Sequence, residues 1–213
     1  MKFSKGFWAV AIILLVLTAD QVLKIWVKTH MTIDQRFEIT SWFYIRFVEN
    51  DGMAMGIQVM GKFFLSMFRI IASVLIAYYL YTLVKREYKI GFIICIGLIF
   101  AGAVGNIVDC IFYGQIFSES TSYQVATLFP PEGGYQTWLH GQVVDMFYFP
   151  LFETTWPEWV PKVGGTPFVF FSYIFNLADA SISVGMAILF LFYRKTFSLS
   201  LEKKPIQVEK VED

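Results

Sequence analysis

The sequence contains four apolar stretches that are long enough to cross a lipid bilayer, at residues 7–27, 63–84, 90–110 and 168–193. About 20 helical residues span a hydrocarbon core of about 30 Å. Hydrophobic residues make up 56% of the chain and charged residues only 16%, well below the roughly 25% of a soluble domain. The pattern therefore predicts an all-α polytopic membrane protein with four transmembrane helices.

The first stretch has the basic start and apolar centre that also occur in secretory signal peptides. Its apolar character continues as far as Val27, and no small-x-small cleavage site follows it. We therefore predict a retained first span. Residues 1–198 are expected to form a single membrane-embedded domain, followed by a charged, disordered cytoplasmic tail at 199–213.

The spans are joined by two long loops, at 28–62 and 111–166. Residues 37–49 mix β-branched and aromatic side chains in partial alternation, which predicts one or two strands. Asn50-Asp51-Gly52 then predicts a turn. The loops are thus expected to add a small extracytoplasmic β-rich region to the helices.

Lysine and arginine near the span ends predict the orientation, because cytoplasmic loops carry the excess of these residues. Basic residues precede the first span, follow the fourth and crowd the short turn at 85–89, whereas loop 111–166 holds only Lys162. Both termini are therefore predicted to be cytoplasmic. Loop 28–62 contains four basic residues of its own, so the asymmetry is partial.

Each predicted span contains polar side chains, and all of them lie at a similar depth. At about 1.5 Å of rise per residue, they fall about 22–30 Å above the cytoplasmic boundary, in the outer third of the bilayer. Ionisable groups in a span are costly and usually face a bundle interior or a wet cavity. One such layer predicts a site that opens outward, formed by Asp20, Lys24, Arg69, Asn106, Asp109, Asn176 and Asp179.

Several of these residues allow two interpretations. Asp20 and Lys24 are spaced i, i+4, so they either form a neutralised pair or act within the site. Arg69 either snorkels to the interface or pairs with a carboxylate. Asp145 reads, from spacing alone, as an ordinary loop carboxylate. The two cysteines and two histidines show no metal-ligand spacing, so no metal is predicted, and the zero net charge gives no reason to expect nucleic acid.

Five sequence blocks together resemble the bacterial lipoprotein signal peptidase (signal peptidase II) family. They occur in the family's order over roughly residues 7–195, and their combination is specific although each block alone is weak. The blocks are Asp20-Gln21-x-x-Lys24, Asn50-x-Gly52-x-Ala54-Met55-Gly56, Gly102-x-x-Gly105-Asn106-x-x-Asp109, Val143-Val144-Asp145-Met146 and Phe175-Asn176-x-Ala178-Asp179.

The resemblance implies an aspartyl peptidase of the bacterial inner membrane, with its site near the outer leaflet. Such enzymes remove the signal peptide of a prolipoprotein by cleaving before its diacylglyceryl-modified cysteine. The family's catalytic pair falls on Asp145 and Asp179. Its supporting residues fall on Asp20, Lys24, Asn50, Gly52, Gly102, Asn106, Asp109, Asn176 and Ala178. No cofactor is implied, the partners are prolipoproteins and membrane lipid, and a monomer is expected.

The chain departs from the family pattern in three places. Cys110 stands where the family usually has an arginine, which makes Arg69 or Arg46 a candidate replacement. Gln142 precedes the Val-Val-Asp block, where many members have histidine. The loop between Asp109 and Asp145 is also much longer than usual, which leaves the cover over the site undetermined.

Two other classes of protein compete with a peptidase. A proton-coupled transporter would place polar residues of the same kind through the midplane of the spans, and the inner two-thirds of these spans contain no charged or amide side chain. A non-catalytic scaffold would use the carboxylates only to pair basic groups. In that case, replacing Asp145 or Asp179 by asparagine would leave prolipoprotein processing intact.

Overall fold

The computed structural model describes residues 3–50 and 61–202. Within them, four helices are long and apolar enough to cross a membrane: α1 (Lys5–His30), α2 (Lys62–Lys85), α3 (Ile90–Ile116) and α4 (Leu177–Leu201). Helices α3 and α4 each contain a π-helical turn, at Asp109–Tyr113 and Leu189–Tyr193. The prediction of four helices that are long and apolar enough to span a membrane is thus confirmed.

The fourth span begins later than predicted. Residues 168–176 do not belong to the helix, because Pro167–Phe170 and Ile174–Phe175 form strands and α4 starts at Leu177. A short run of apolar aromatic and β-branched residues fits a buried strand as well as a helix, so hydropathy alone could not place this boundary. At its other end α4 continues to Leu201, past the predicted start of the tail at 199.

Helix α3 lies at the centre of the bundle, and small residues let its neighbours approach closely. A side chain at Gly102 would overlap the carbonyl oxygen of Ala178 at the start of α4. A Cβ atom at Gly105 would lie 2.9 Å from Asp20 Oδ2 and 3.1 Å from the Cβ of Ala178. Because small residues allow close packing of membrane helices, the polar residues of α1, α3 and α4 are brought together at this level.

A four-stranded sheet connects the loops, in the order β1-β2-β3-β6. Its strands are β1 (Arg36–Thr40), β2 (Phe43–Asn50), β3 (Val143–Tyr148) and β6 (Ile174–Phe175), and the neighbouring strands pair antiparallel. Strands β1 and β2 confirm the prediction at 37–49, whereas the predicted turn continues into residues 51 and 52, outside the described part. A separate hairpin pairs β4 (Phe152–Thr155) with β5 (Pro167–Phe170).

The sheet fixes the position of two strand ends relative to the helices. Asp145 lies opposite Val48 in the β2–β3 register, and Asn50 lies opposite Val143. Strand β6 pairs with β3 and leads directly to Asn176, the N-cap of α4. The sheet therefore holds Asp145 beside the beginning of the fourth span.

Residues 117–142, called here the 117–142 segment, fold against the end of α1. Phe117 and Ala126 are buried in a cluster with Val27 and Met31 of α1 and its C-cap. The backbone N–H of Ile33 donates to the carbonyl oxygen of Thr121 at 3.0 Å. This part of the long loop is thus packed against the bundle.

Candidate active site

Asp145 and Asp179 are joined through the side chain of Asn176. Asn176 Nδ2 donates to Asp145 Oδ1 at 2.7 Å, while its Oδ1 accepts from the backbone N–H of Asp179 at 2.9 Å. The Asp179 carboxylate accepts in return from the backbone N–H of Asn176 at 3.3 Å, which completes a capping box. The i, i+3 spacing noted in the sequence therefore marks the first turn of α4, and Asp179 points back to its start.

Asn106 supplies a second link on the other side of Asp179. Its Nδ2 donates to Asp179 Oδ1 at 2.8 Å. Its Oδ1 accepts from Asn176 Nδ2 at 3.1 Å and from Lys24 Nζ at 2.9 Å. The two asparagines consequently orient both aspartates and connect them to a buried cation.

Lys24 lies between two further carboxylates, Asp20 and Asp109. Its Nζ is 3.0 Å from Asp20 Oδ2 and 2.8 Å from Asp109 Oδ2, and all three side chains are fully buried. Asp20 and Lys24 therefore pair as their spacing suggested, but the pair belongs to the site network.

Each of these carboxylates also holds a backbone N–H next to a candidate catalytic residue. Asp20 Oδ1 accepts from Ala178 at 2.9 Å, directly before Asp179. Asp109 Oδ2 accepts from Val144 at 3.2 Å, directly before Asp145. Lys24 thus connects, through two anions, the two chain segments that carry Asp145 and Asp179.

Asn50 reaches Asp145 from strand β2, donating from Nδ2 to Asp145 Oδ2 at 2.5 Å. Both oxygens of Asp145 therefore accept a hydrogen bond from an asparagine amide. Gly102 and Ala178 contribute close packing between α3 and α4. The predicted supporting residue Gly52 lies outside the described residues, together with Ala54, Met55 and Gly56 of the same block.

Asp145 is only 3% exposed. Burial, and to a smaller extent the negative charge of Asp179, raise the pKa of the Asp145 carboxyl to about 7. The hydrogen bonds from Asn50 and Asn176 lower this pKa but do not outweigh burial. A carboxyl with such a pKa is protonated in a large fraction of molecules near neutrality. Asp145 can therefore be present as a neutral carboxyl, and so as a proton donor, near neutral pH.

The position of the missing family arginine is occupied by a thiol that contacts an arginine from another helix. Arg69 of α2 places Nη1 3.4 Å from the Sγ atom of Cys110. The guanidinium is half-buried and directed towards α3. Arg46 instead forms an exposed ion pair with Asp34 at 2.9 Å. Of the two candidate replacements, only Arg69 is thereby brought to Cys110.

Gln21 belongs to the same network but was not predicted as a site residue. Its Nε2 donates to Asp109 Oδ1 at 3.0 Å and to the carbonyl oxygen of Gly105 at 3.2 Å, and its Oε1 accepts from the Tyr113 hydroxyl at 3.1 Å. Its place beside Asp20 in the first sequence block was the available signal. Among residues 3–50 and 61–202, no cluster of three His, Cys, Asp or Glu side chains is arranged to hold a metal ion.

These features fit a multi-pass membrane protein with a largely buried carboxylate site. Residues 12–194 match the family described as Signal peptidase (SPase) II. The chain is 52% identical to a lipoprotein signal peptidase of Porphyromonas gingivalis over 95% of its length and 90% of the relative's. It is 35% identical to a lipoprotein signal peptidase of Amoebophilus asiaticus, over 94% of the chain and 84% of the relative.

The protein therefore belongs to the signal peptidase II family, which makes it a peptidase and confirms the resemblance found in the sequence. A solved bacterial membrane enzyme is similar in fold, with a TM-score of 0.60, 23% identity and 94% of each chain covered. A second one has a TM-score of 0.57 at 25% identity, over 86% of this chain and 90% of that chain.

Proposed function

We propose that the protein is an intramembrane aspartyl endopeptidase that removes signal peptides from prolipoproteins, cleaving before the diacylglyceryl-modified cysteine. The observation that carries the proposal is the bridge between Asp145 and Asp179 through the Asn176 side chain. Family membership supplies the reaction class, and the bridge holds Asp145 beside the first turn of α4, which carries Asp179.

Hydrolysis of a peptide bond by two carboxyl groups requires that one is ionised and the other protonated. The ionised carboxylate takes a proton from the attacking water, and the protonated carboxyl donates to the carbonyl oxygen of the scissile bond. Two neighbouring carboxyls favour this arrangement, because the first negative charge opposes the second.

The surroundings of the pair support Asp145 as the protonated member. Its pKa is raised to about 7 by burial and by the charge of Asp179. Asp179 accepts from Asn106 Nδ2 and from the backbone N–H of Asn176, which hold its carboxylate in place. With Asp145 as the acid that stabilises the tetrahedral intermediate, Asp179 is left as the base that activates water.

The site's position along the spans suits a lipidated substrate. Asn176 caps α4, and Asp109 lies in the last turns of α3, so the site is close to the loop-side ends of both helices. We place this end at the outer leaflet of the bacterial inner membrane, with both chain termini cytoplasmic, on the strength of the basic residues at 85–89 and after residue 193. There, acyl chains remain in lipid while water reaches the scissile bond.

A reconstituted cleavage assay tests the proposal. The purified protein is placed in liposomes with a prolipoprotein carrying a diacylglyceryl cysteine, and the products are identified by mass spectrometry. We expect a released signal peptide and a product that begins at the lipidated cysteine. The same substrate without lipid serves as the control and is expected to remain intact.

Cleavage at another bond, or equal cleavage of both substrates, would contradict the proposed specificity. A proton flux across the same liposomes without any peptide cleavage would instead favour a transporter, which is the competing use of buried carboxylates in a membrane.

A further inference from the structure

A second buried ion pair lies beside the site and has no part in the proposed mechanism. Lys28, in the last turn of α1, is fully buried and pairs with Glu49 of β2, whose side chain is 7% exposed. Lys28 Nζ also donates to the Ser120 hydroxyl at 2.8 Å. Charges with so little access to water are rarely kept unless they are paired and hydrogen-bonded, so this cluster needs an explanation.

The Lys28–Glu49–Ser120 cluster joins three separate parts of the chain. Lys28 belongs to α1, Glu49 to β2 and Ser120 to the 117–142 segment. Two aromatic rings of that segment also face the ammonium group. Its Nζ lies 5.4 Å from the ring centroid of Phe117 and 4.9 Å from that of Tyr135. The cluster therefore anchors the 117–142 segment to the core by charge and by cation–π contact.

Glu49 directly precedes Asn50, the residue that donates to Asp145 Oδ2. In the β2–β3 register Glu49 lies opposite Val144, immediately before Asp145. Asn50 is the last residue of β2 and pairs with Val143 of β3 in the same register. The ion pair between Lys28 and Glu49, one residue before Asn50, ties this end of β2 to α1.

A second connection runs from the 117–142 segment to β3. The backbone N–H of Gln142 donates to the Tyr135 hydroxyl at 2.7 Å, and Gln142 directly precedes the strand that carries Asp145. Tyr135 consequently contacts both Lys28 and the entry to β3. The cluster and this hydroxyl restrain the two strands whose side chains meet at Asn50 and Asp145.

We propose that the Lys28–Glu49–Ser120 cluster is a positioning device, through which the 117–142 segment holds Asn50 against Asp145. Its members act through Asn50 and do not touch the reacting atoms. The inference rests on the proposed function, because it assigns the cluster to the peptidase reaction. It predicts that weakening the cluster lowers kcat with little change in KM, since a small displacement of a reacting group slows chemistry more than binding.

A double-mutant cycle with Glu49→Gln and Asn50→Ala tests this inference. We expect Glu49→Gln alone to lower kcat at least about tenfold, with KM within about twofold of the wild type. In the Asn50→Ala background the same change is expected to have no further effect on kcat, because residues that act as one unit are not additive. Asp34→Asn is the matched control, an acid-to-amide change in the exposed pair with Arg46, and is expected to leave kcat unchanged.

A merely structural role predicts a different result, in which Glu49→Gln lowers the unfolding temperature and leaves the kcat of the folded fraction unchanged. That result, or an additive loss of kcat in the double variant, would overturn the positioning role. If Glu49→Gln does not accumulate, Ser120→Ala replaces it in the same cycle, with an expected loss of about threefold that Asn50→Ala abolishes. If the proposed function itself were wrong, the wild type would already fail to cleave the lipidated substrate before any variant is compared, so the two failures are distinguishable.

Discussion

The two ends of one amide give Asn176 two separate tasks. Its Oδ1 caps α4 by accepting from the backbone N–H of Asp179, and its Nδ2 donates to Asp145. The residue is fully buried, so water does not replace either bond after a substitution. A change at this position can therefore separate helix capping from the support of Asp145.

We predict that Asn176→Ser and Asn176→Ala both lower kcat at least about tenfold, because both remove the amide that orients Asp145. Serine remains a good N-cap, whereas alanine costs about 1 kcal/mol of stability at such a position. The alanine variant should consequently unfold at a lower temperature than the serine variant. Steady-state kinetics and thermal unfolding measure the two effects, and full activity of Asn176→Ser would refute the orienting role.

A second prediction concerns the pH dependence of stability. Burial and the charge of Asp179 raise the pKa of Asp145 from 3.8 to about 7 in the folded protein. Between these two values the folded state binds more protons than the unfolded state, so this carboxyl makes the protein less stable as the pH rises from about 4 to about 7. Asp145→Asn removes the titrating group.

The unfolding temperature of Asp145→Asn should therefore rise relative to that of the wild type as the pH increases from 4 to 8. The difference corresponds to at most about 4 kcal/mol, at 1.36 kcal/mol for each pKa unit. Asp34→Asn, at a side chain that is 63% exposed, serves as the control. A difference that stays constant over this pH range would contradict the raised pKa.

At the scale of elements, Lys24 connects three helices and one strand. It pairs with Asp20 of α1 and Asp109 of α3, and these anions hold the backbone at Ala178 of α4 and Val144 of β3. Removing one member of a buried ionic group leaves the others without compensation, which typically costs 3–5 kcal/mol. The relative placement of the elements thus depends on this one side chain.

We therefore predict that Lys24→Met lowers the free energy of unfolding by about 3–5 kcal/mol. Lys5→Met is the matched control, because Lys5 pairs with Glu87 at 2.9 Å near the surface, where an ion pair contributes about 1 kcal/mol or less. Denaturant titration of both variants in the same detergent gives the comparison. Equal effects of the two changes would show that the buried network does not hold the elements together.

The sequence predicted some elements and site residues well and others poorly, for physical reasons. Long apolar runs identified the four spans. Residues 168–175 were wrongly included in the fourth span, because these strand residues are as apolar as the helix that follows them. The layer of Asp20, Asn106 and Asp179 followed from depth alone, since helical rise is regular. Asp145 could not be predicted from depth, because it lies in strand β3 and not in a helix. Only the family resemblance distinguished it from other loop carboxylates.

The Lys28–Glu49 pair could not be predicted from the sequence, for a different reason. Its two residues come from a helix and a strand, and their meeting depends on the register of β2 and the path of the 117–142 segment. Gln21 was likewise visible only as a neighbour of Asp20. Contacts between elements require the tertiary arrangement, which periodicity within one element does not contain.

At the scale of the whole molecule, the proposed topology places the turn at 85–89 and the 117–142 segment on opposite sides of the membrane. Both native cysteines are buried, Cys95 at 1% and Cys110 at 2% exposure. We therefore expect them to react little with a thiol reagent in labelling experiments. Glu87 and Glu132 are exposed positions in the two regions.

In spheroplasts, we expect a membrane-impermeant maleimide to label Glu132→Cys at once and Glu87→Cys only after permeabilisation. The parent protein, without an added cysteine, is the control for the buried thiols. Labelling of Glu87→Cys in intact spheroplasts, with Glu132→Cys protected, would reverse the orientation and place the site at the inner leaflet.

The most direct test of the account is the cleavage rate of a diacylglyceryl prolipoprotein by Asp145→Asn and Asp179→Asn in liposomes, with Asp34→Asn as the control. Loss of a residue that takes part in the chemistry lowers kcat by several orders of magnitude. We predict a loss of at least about a thousandfold for each of the two variants, and wild-type activity for the control. If either variant cleaved the substrate at the wild-type rate, the Asp145–Asp179 pair would not be the catalytic centre.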